Sequence, residues 1–265
     1  VENPRTQNRN YSYTRPLYHI SENRNMKSVF IIFIAFLTIS LNAQTPEMEY
    51  NRNFIPWDFE PSNELLIEFQ TNIQPENEII LNLEKTTDTL DSEMVFYDTD
   101  KLEKSLYSIY VFNNTTDSLI IERQDRSFYL IQEAKNKSGE WKPVEYWRYS
   151  TCGNSYLSDK LKPNGVMRTI SVAYTGNFAT QIRFKLLSHN KTYYSNSING
   201  FVNLSQFIIP DDITENRTFK RVETVGDLEL LDKLLFLEPY GMKEFAEKQK
   251  AYLEKMAELR KRNKN

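Results

Sequence analysis

Between residues 60 and 210, apolar side chains recur at every second position in short runs, and this spacing constrains the fold more than any other feature. A period of two sends alternate side chains to opposite faces of an extended strand. In ENEIILNLE, residues 76–84, Ile79, Leu81 and Leu83 share one face. In TQIRFKL, residues 180–186, Ile182, Phe184 and Leu186 do the same, with Arg183 and Lys185 expected to face water. SLYSIYVFN, residues 105–113, is apolar on both faces, which suits a central strand covered from both sides. SFYLIQEA, residues 127–134, is a similar run. Further strands are expected at 64–69, 118–122, 144–149, 166–172, 192–196 and 201–207. Turn-forming stretches separate them, among them NNTTD at 113–117, NKSGE at 136–140 and KPNG at 162–165. Asn199-Gly200 predicts a tight hairpin turn, because both residues tolerate positive φ. Strands at this spacing predict a mainly β fold, an antiparallel immunoglobulin-like β-sandwich over residues 44–215.

Past residue 215 the period changes, and residues 216–265 read as a C-terminal α-helical extension. GDLELLDKLLFLE, residues 226–238, suits a helix that stops at Pro239-Tyr240-Gly241. Beyond it Met242, Phe245, Gln249, Tyr252, Met256 and Leu259 recur at spacings of three and four, a narrow apolar stripe on one helix. The stripe either packs back on the sandwich or meets a partner, so Met242, Phe245, Tyr252, Met256 and Leu259 are partner-helix candidates. Three heptads with Gln249 in the seam are too few for an independent coiled coil. A membrane-surface role is set aside because the polar face carries many glutamates.

The front of the chain addresses location. Residues 26–43 begin Met26-Lys27 and continue through 13 positions, 29–41, in which only Thr38 and Ser40 are polar. A positive start, a short apolar core and a small residue at Ala43 are the layout of a secretory signal peptide. The core is shorter than the roughly 18 residues a membrane-spanning helix needs, so no stable transmembrane anchor is expected after cleavage. Cleavage is expected near Ala43-Gln44, and Gln44 in place of cysteine argues against a lipid anchor. A hydrophobic signal ending Ala-Gln resembles those of bacterial exported proteins, which implies a secreted or periplasmic protein. Residues 1–25 hold five Asn, four Arg and little apolar patterning, and read as a disordered leader or a mis-set translation start.

Charge and composition narrow the function classes. Residues 1–43 hold five of the 33 basic and two of the 36 acidic residues, leaving 28 against 34, a net of −6. That balance argues against nucleic acid as a partner. Cys152 is the only cysteine, so there is no internal disulfide and no cysteine-based zinc site.

No residue set for catalysis emerges. A cysteine nucleophile needs a base, and His189 is the one histidine of residues 44–265, with no local signature tying it to Cys152. Cys152 reads instead as a small, buried or half-buried thiol at a strand end, beside a turn made by Gly153 and Asn154. There is no Gly-x-Ser-x-Gly and no phosphate-binding glycine loop. Asp98, Asp100, Asp211 and Asp212 lack the spacing of a calcium loop, and no metal or cofactor is expected. The most distinctive stretch is 139–156, which carries Trp141, Tyr146, Trp147, Tyr149 and Tyr156. Trp147 and Tyr149 alternate with Tyr146 and Arg148, so one aromatic face is either exposed or covered by the C-terminal helix. Exposed, these residues are candidates for binding a ligand, because aromatic rings stack on sugars and peptides at low entropic cost. The expected function is that of an exported, non-enzymatic binding or structural module for a protein or cell-envelope component. The alternative is a module that binds or processes a glycan through the aromatic cluster.

Overall fold

The computed structural model describes residues 47–51, 53–56, 59–71, 76–86, 106–211, 213, 217–225 and 227–263. The chain divides into two compact units, Val1–Gln44 and Thr45–Asn265, and the described residues belong to the second. The leader, the signal segment and the acidic residues Asp98, Asp100 and Asp212 lie outside them.

The described residues form a mainly β structure of antiparallel sheets with helices at its C-terminal end. In chain order its elements are β1 (Glu49–Tyr50), β2 (Asn53–Phe54), α1 (Asn63–Thr71), β3 (Ile79–Thr86), β4 (Leu106–Asn113), β5 (Leu119–Gln124), β6 (Ser127–Phe128), β7 (Leu130–Lys135), β8 (Trp141–Pro143) and β9 (Glu145–Tyr146). There follow β10 (Tyr156–Leu161), β11 (Val166–Val172), β12 (Phe178–Ser188), β13 (Lys191–Tyr194), β14 (Ile198–Val202), α2 (Arg217–Thr224), α3 (Leu228–Leu235) and α4 (Gly241–Arg262).

One sheet runs β2-β11-β4-β3 and a second runs β13-β12-β7-β8, with β14 also paired to β12. Their inner faces share one core. Ile79, Leu81 and Leu83 of β3 and Ile109 and Val111 of β4 meet Leu130 and Ala134 of β7 and Ile182, Phe184 and Leu186 of β12. These are the alternating positions the period of two predicts. A third sheet, β10-β5-β6, adds Ile121 and Phe128 to this core, and a parallel pair, β1-β9, joins residues 49–50 to 145–146. The sheet edges meet at Asn196: its side chain accepts from Leu83 N at 2.6 Å and donates to Leu83 O at 3.1 Å, as a neighbouring strand would.

Helices cover part of the outer faces. Phe69 of α1 stacks on Phe112 of β4 at 5.0 Å, with Val166, Leu65, Leu66 and Tyr110 around them, so β4 is buried from both sides as its composition required. On the other sheet, Ile131, Trp147 and Tyr149 pack beneath Phe219, Val222, Leu230, Leu234, Leu235 and Phe245 of the helical end.

Several sequence expectations are corrected. Residues 64–69 are helical, not a strand: Ser62 caps α1 by accepting from Leu65 N, and Leu65, Leu66 and Phe69 fall on one helical face. Asn199-Gly200 is not a turn. It lies inside β14, where Gly200 runs so close to β12 that a Cβ there would sit 2.6 Å from Ile182 Cγ1. The tight turn is His189-Asn190, with φ of 50° and 58°, between β12 and β13. Residues 201–207 leave the strand after Val202 for a 3-10 turn, Leu204–Phe207, closed by a capping box between Asn203 and Gln206. Of residues 144–149 only Glu145–Tyr146 is strand. Lys185 does not face water: it is buried, and its Nζ donates to Phe236 O at 2.9 Å and pairs with Glu238.

Candidate binding surfaces

The aromatic stretch 139–156 is split among three environments. Trp147 and Tyr149 are buried in the second core. Trp147 N donates to Leu235 O at 2.7 Å, and its ring lies 4.8 Å from that of Tyr129. Burial pushes the phenols of Tyr129 and Tyr149 well above their ordinary value, because the phenolate would lose its hydration. Neither Trp147 nor Tyr149 offers a ring to a ligand, which corrects the reading of them as stacking residues. Helical residues already occupy that face. Tyr146 is half-buried against the same cluster.

Tyr156 is 39 % exposed and donates its hydroxyl to Ser150 O at 2.6 Å, which closes the loop that carries Cys152. Polar bonds hold that loop. Cys152 N donates to Ser150 Oγ at 3.1 Å, Ser150 and Ser155 hydroxyls lie 2.9 Å apart, and Ser150 N donates to Gln124 Oε1 at 2.9 Å. Cys152 is exposed, not buried or half-buried as expected, because side-chain hydrogen bonds and not apolar packing fix its surroundings. It precedes the 3-10 turn Gly153–Ser155. His189 occupies the β12–β13 turn, where Ser188 Oγ lies 3.2 Å from its Nδ1 and its backbone N donates to Glu122.

Trp141 stands apart, on β8 at the outer face of the second sheet. Arg183 lies between two rings there, with its guanidinium carbon 4.4 Å from the Trp141 centroid and 4.0 Å from that of Tyr194. Glu133 accepts from Arg183 at 2.7 Å and fixes the plane. Lys135 reaches the Trp141 ring at 5.3 Å. Tyr194 is 45 % exposed and Trp141 half-buried, so the stack forms a ledge at the surface. Each contact of this kind stabilises by about 0.5–1 kcal/mol at an exposed site. Sequence reasoning found Trp141 and missed Arg183 and Tyr194. The signal was present in the period of two, which put Arg183 on the outer face, but the register β7-β12-β13 that brings in Tyr194 is a pairing between distant segments.

The partner-helix candidates also divide. Phe245 is buried, and the first turns of α4 are fixed to α3 by Lys233–Glu244 at 3.1 Å and by Lys248 pairing with Asp227, which also caps α3. Gly241 and Phe245 are the buried residues of this 22-residue helix. Tyr252 and Met256 are half-buried, while Met242 is 39 %, Leu253 60 % and Leu259 42 % exposed.

Among the described residues no group of three or more His, Cys, Asp or Glu side chains is placed to hold a metal, and no helix is long and apolar enough to cross a membrane. No protein-family model matches the chain, and no curated protein matches it.

Proposed function

We propose that this is an exported, non-enzymatic module with an immunoglobulin-like β-sandwich, which binds a protein or cell-envelope component through its C-terminal helix. The observation that carries this reading is α4. It is anchored at its first two turns and then runs on for about four more, with Leu253 and Leu259 exposed and Tyr252 and Met256 half-buried. Export rests on the layout of residues 26–43. The sandwich arrangement is supported by two antiparallel sheets sharing one core. The non-catalytic reading is supported by the settings of Cys152, on a serine-tied loop, and His189, in a hairpin turn.

The test is a pull-down from an extract of the host envelope, with the full chain as bait beside a bait shortened by residues 250–265. A component held by the first and lost from the second supports the reading. Equal recovery by both baits overturns the role of α4. A second reading, glycan binding, is favoured by the ledge Trp141–Arg183–Tyr194. It expects a sugar-induced change in tryptophan fluorescence that Trp141→Ala abolishes.

A further inference from the structure

We infer that the open part of the second sheet's outer face binds an acidic glycan, a chain of sugars whose rings carry carboxylates. This deepens the glycan reading of the Trp141–Arg183–Tyr194 ledge and rests on it. The pairing of the strands defines the face. Ile182, Phe184 and Leu186 of β12 line the core, so Ala179, Gln181 and Arg183 point outward by the period of two. On β14, Asn199 pairs with Gln181 and Phe201 with Ala179, and cross-strand partners share a face. On the other side, Glu133 of β7 pairs with Arg183, and Lys135, two residues on, pairs with Trp141 of β8. The helical end covers this face around Ile131 and Lys185, which are buried. The rest is open: Phe201 is 55 % exposed, and Asn199 and Ala179 are exposed as well. From Tyr194, opposite Lys185, to Phe201, opposite Ala179, the face runs about 20 Å along β12.

The chemistry of this face selects the ligand. Tyr194 and Phe201, at its two ends, offer exposed rings of the kind that stack on the C–H face of a sugar. Gln181 and Asn199, side by side between them, offer amide donors and acceptors to hydroxyl groups. Lys135 supplies the charge. Its Nζ lies 5.3 Å from the Trp141 ring centroid, and it pairs with no carboxylate among the described residues. Arg183 is neutralised by Glu133, so the surplus charge here is the ammonium of Lys135, in a chain with more acidic than basic residues. In a uronate the carboxylate sits at the rim of the ring, so a stacked sugar can still turn its charge toward a neighbouring ammonium. A peptide strand joining the sheet would need a free edge, and β12 is paired on one side to β7 and on the other to β13 and β14. A nucleic acid would meet the net negative charge of the chain.

The experiment is titration of the full chain with oligogalacturonate and oligomannuronate, each beside its methyl ester, which keeps the ring and removes the charge. Tryptophan fluorescence and calorimetry read the affinity, at low and high salt. Wild type is compared with Lys135→Gln, Phe201→Ala and Trp141→Ala, and unchanged circular dichroism verifies that each variant folds. Wild type should bind at least one free acid about tenfold more tightly than its ester, as expected of a hydrogen bond to a charged group, and salt should shrink the difference. Lys135→Gln should bind acid and ester alike. Phe201→Ala should weaken both by a similar factor and keep the preference for acid. Equal binding of acid and ester by wild type overturns the inference, as does a preference for acid that survives in Lys135→Gln or binding that Phe201→Ala leaves unchanged. If the esters still bind in those cases and Trp141→Ala abolishes that binding, the glycan reading stands without this refinement. Failure of every acid and ester to bind overturns both.

Discussion

Asn53 ties three strands together through one buried side chain. Its Nδ2 donates to the carbonyls of Phe128 and Leu130 at 3.0 and 3.1 Å, and its Oδ1 accepts from Phe128 N and Thr169 Oγ1 at 2.9 and 3.2 Å. Asn53→Ala would leave these groups buried without partners, and we expect a loss of about 2–4 kcal/mol in urea denaturation. Asn113 has a similar role: its side chain donates to the carbonyls of Asp117, Leu161 and Lys162 and accepts from Thr115. Being fully buried, it cannot serve as the glycan acceptor that Asn113-Asn114-Thr115 would suggest. Burial also sets the alkaline limit. Tyr193 is pushed up to about 12, first by desolvation and then by the charge of Glu78, and Tyr129 and Tyr149 are also raised. A phenol whose folded value is raised contributes stability that is intact below the ordinary value near 10 and is lost as pH rises through the folded value. An ultraviolet titration should therefore show only part of the 16 tyrosines ionising near pH 10, and the remainder ionising at higher pH as the protein unfolds. Complete, reversible ionisation near 10 would contradict the burial described. Cys152 should react with a thiol reagent in the native protein without denaturant, as its exposure requires.

At the scale of elements, α4 has two halves of different energetic weight. Phe245→Ala removes a buried ring from the second core and should cost about 3–5 kcal/mol. Removing residues 250–265 takes away mostly exposed side chains and should change stability by less than about 1 kcal/mol. Chemical denaturation of the two variants measures the contrast, and equal losses would mean that the outer half is packed. Legibility in the sequence followed the same division. β3 and β12 were readable because Ile79, Leu81 and Leu83, and Ile182, Phe184 and Leu186, recur at every second position and line the shared core. α1 was misread because ELLIEF is short and apolar enough for either period, and a serine cap decided the matter. Trp147 and Tyr149 were correctly placed on one face, but whether that face was bare depended on helices some 70–100 residues later in the chain.

For the molecule as a whole, the helical end and the sheets should unfold together. Trp147 N bonds to Leu235 O, Lys185 Nζ bonds to Phe236 O, and Ile131 of β7 lies inside the second core, so neither part keeps its buried surface alone. Thermal melts followed by circular dichroism and by tryptophan fluorescence should coincide, and separate transitions would show two independent units. The sequence by itself determined the mainly β class, the positions that line the shared core and the stripe of α4, because these follow from local periodicity and the geometry of a single element. Only the tertiary structure decided that Lys185 is buried, that Cys152 is exposed and that Trp147 is covered. It also decided that Arg183 stacks between Trp141 and Tyr194. Each of these depends on which distant segments pair and in what register, and a side chain's burial is set by what lies across from it, not by its neighbours in the chain.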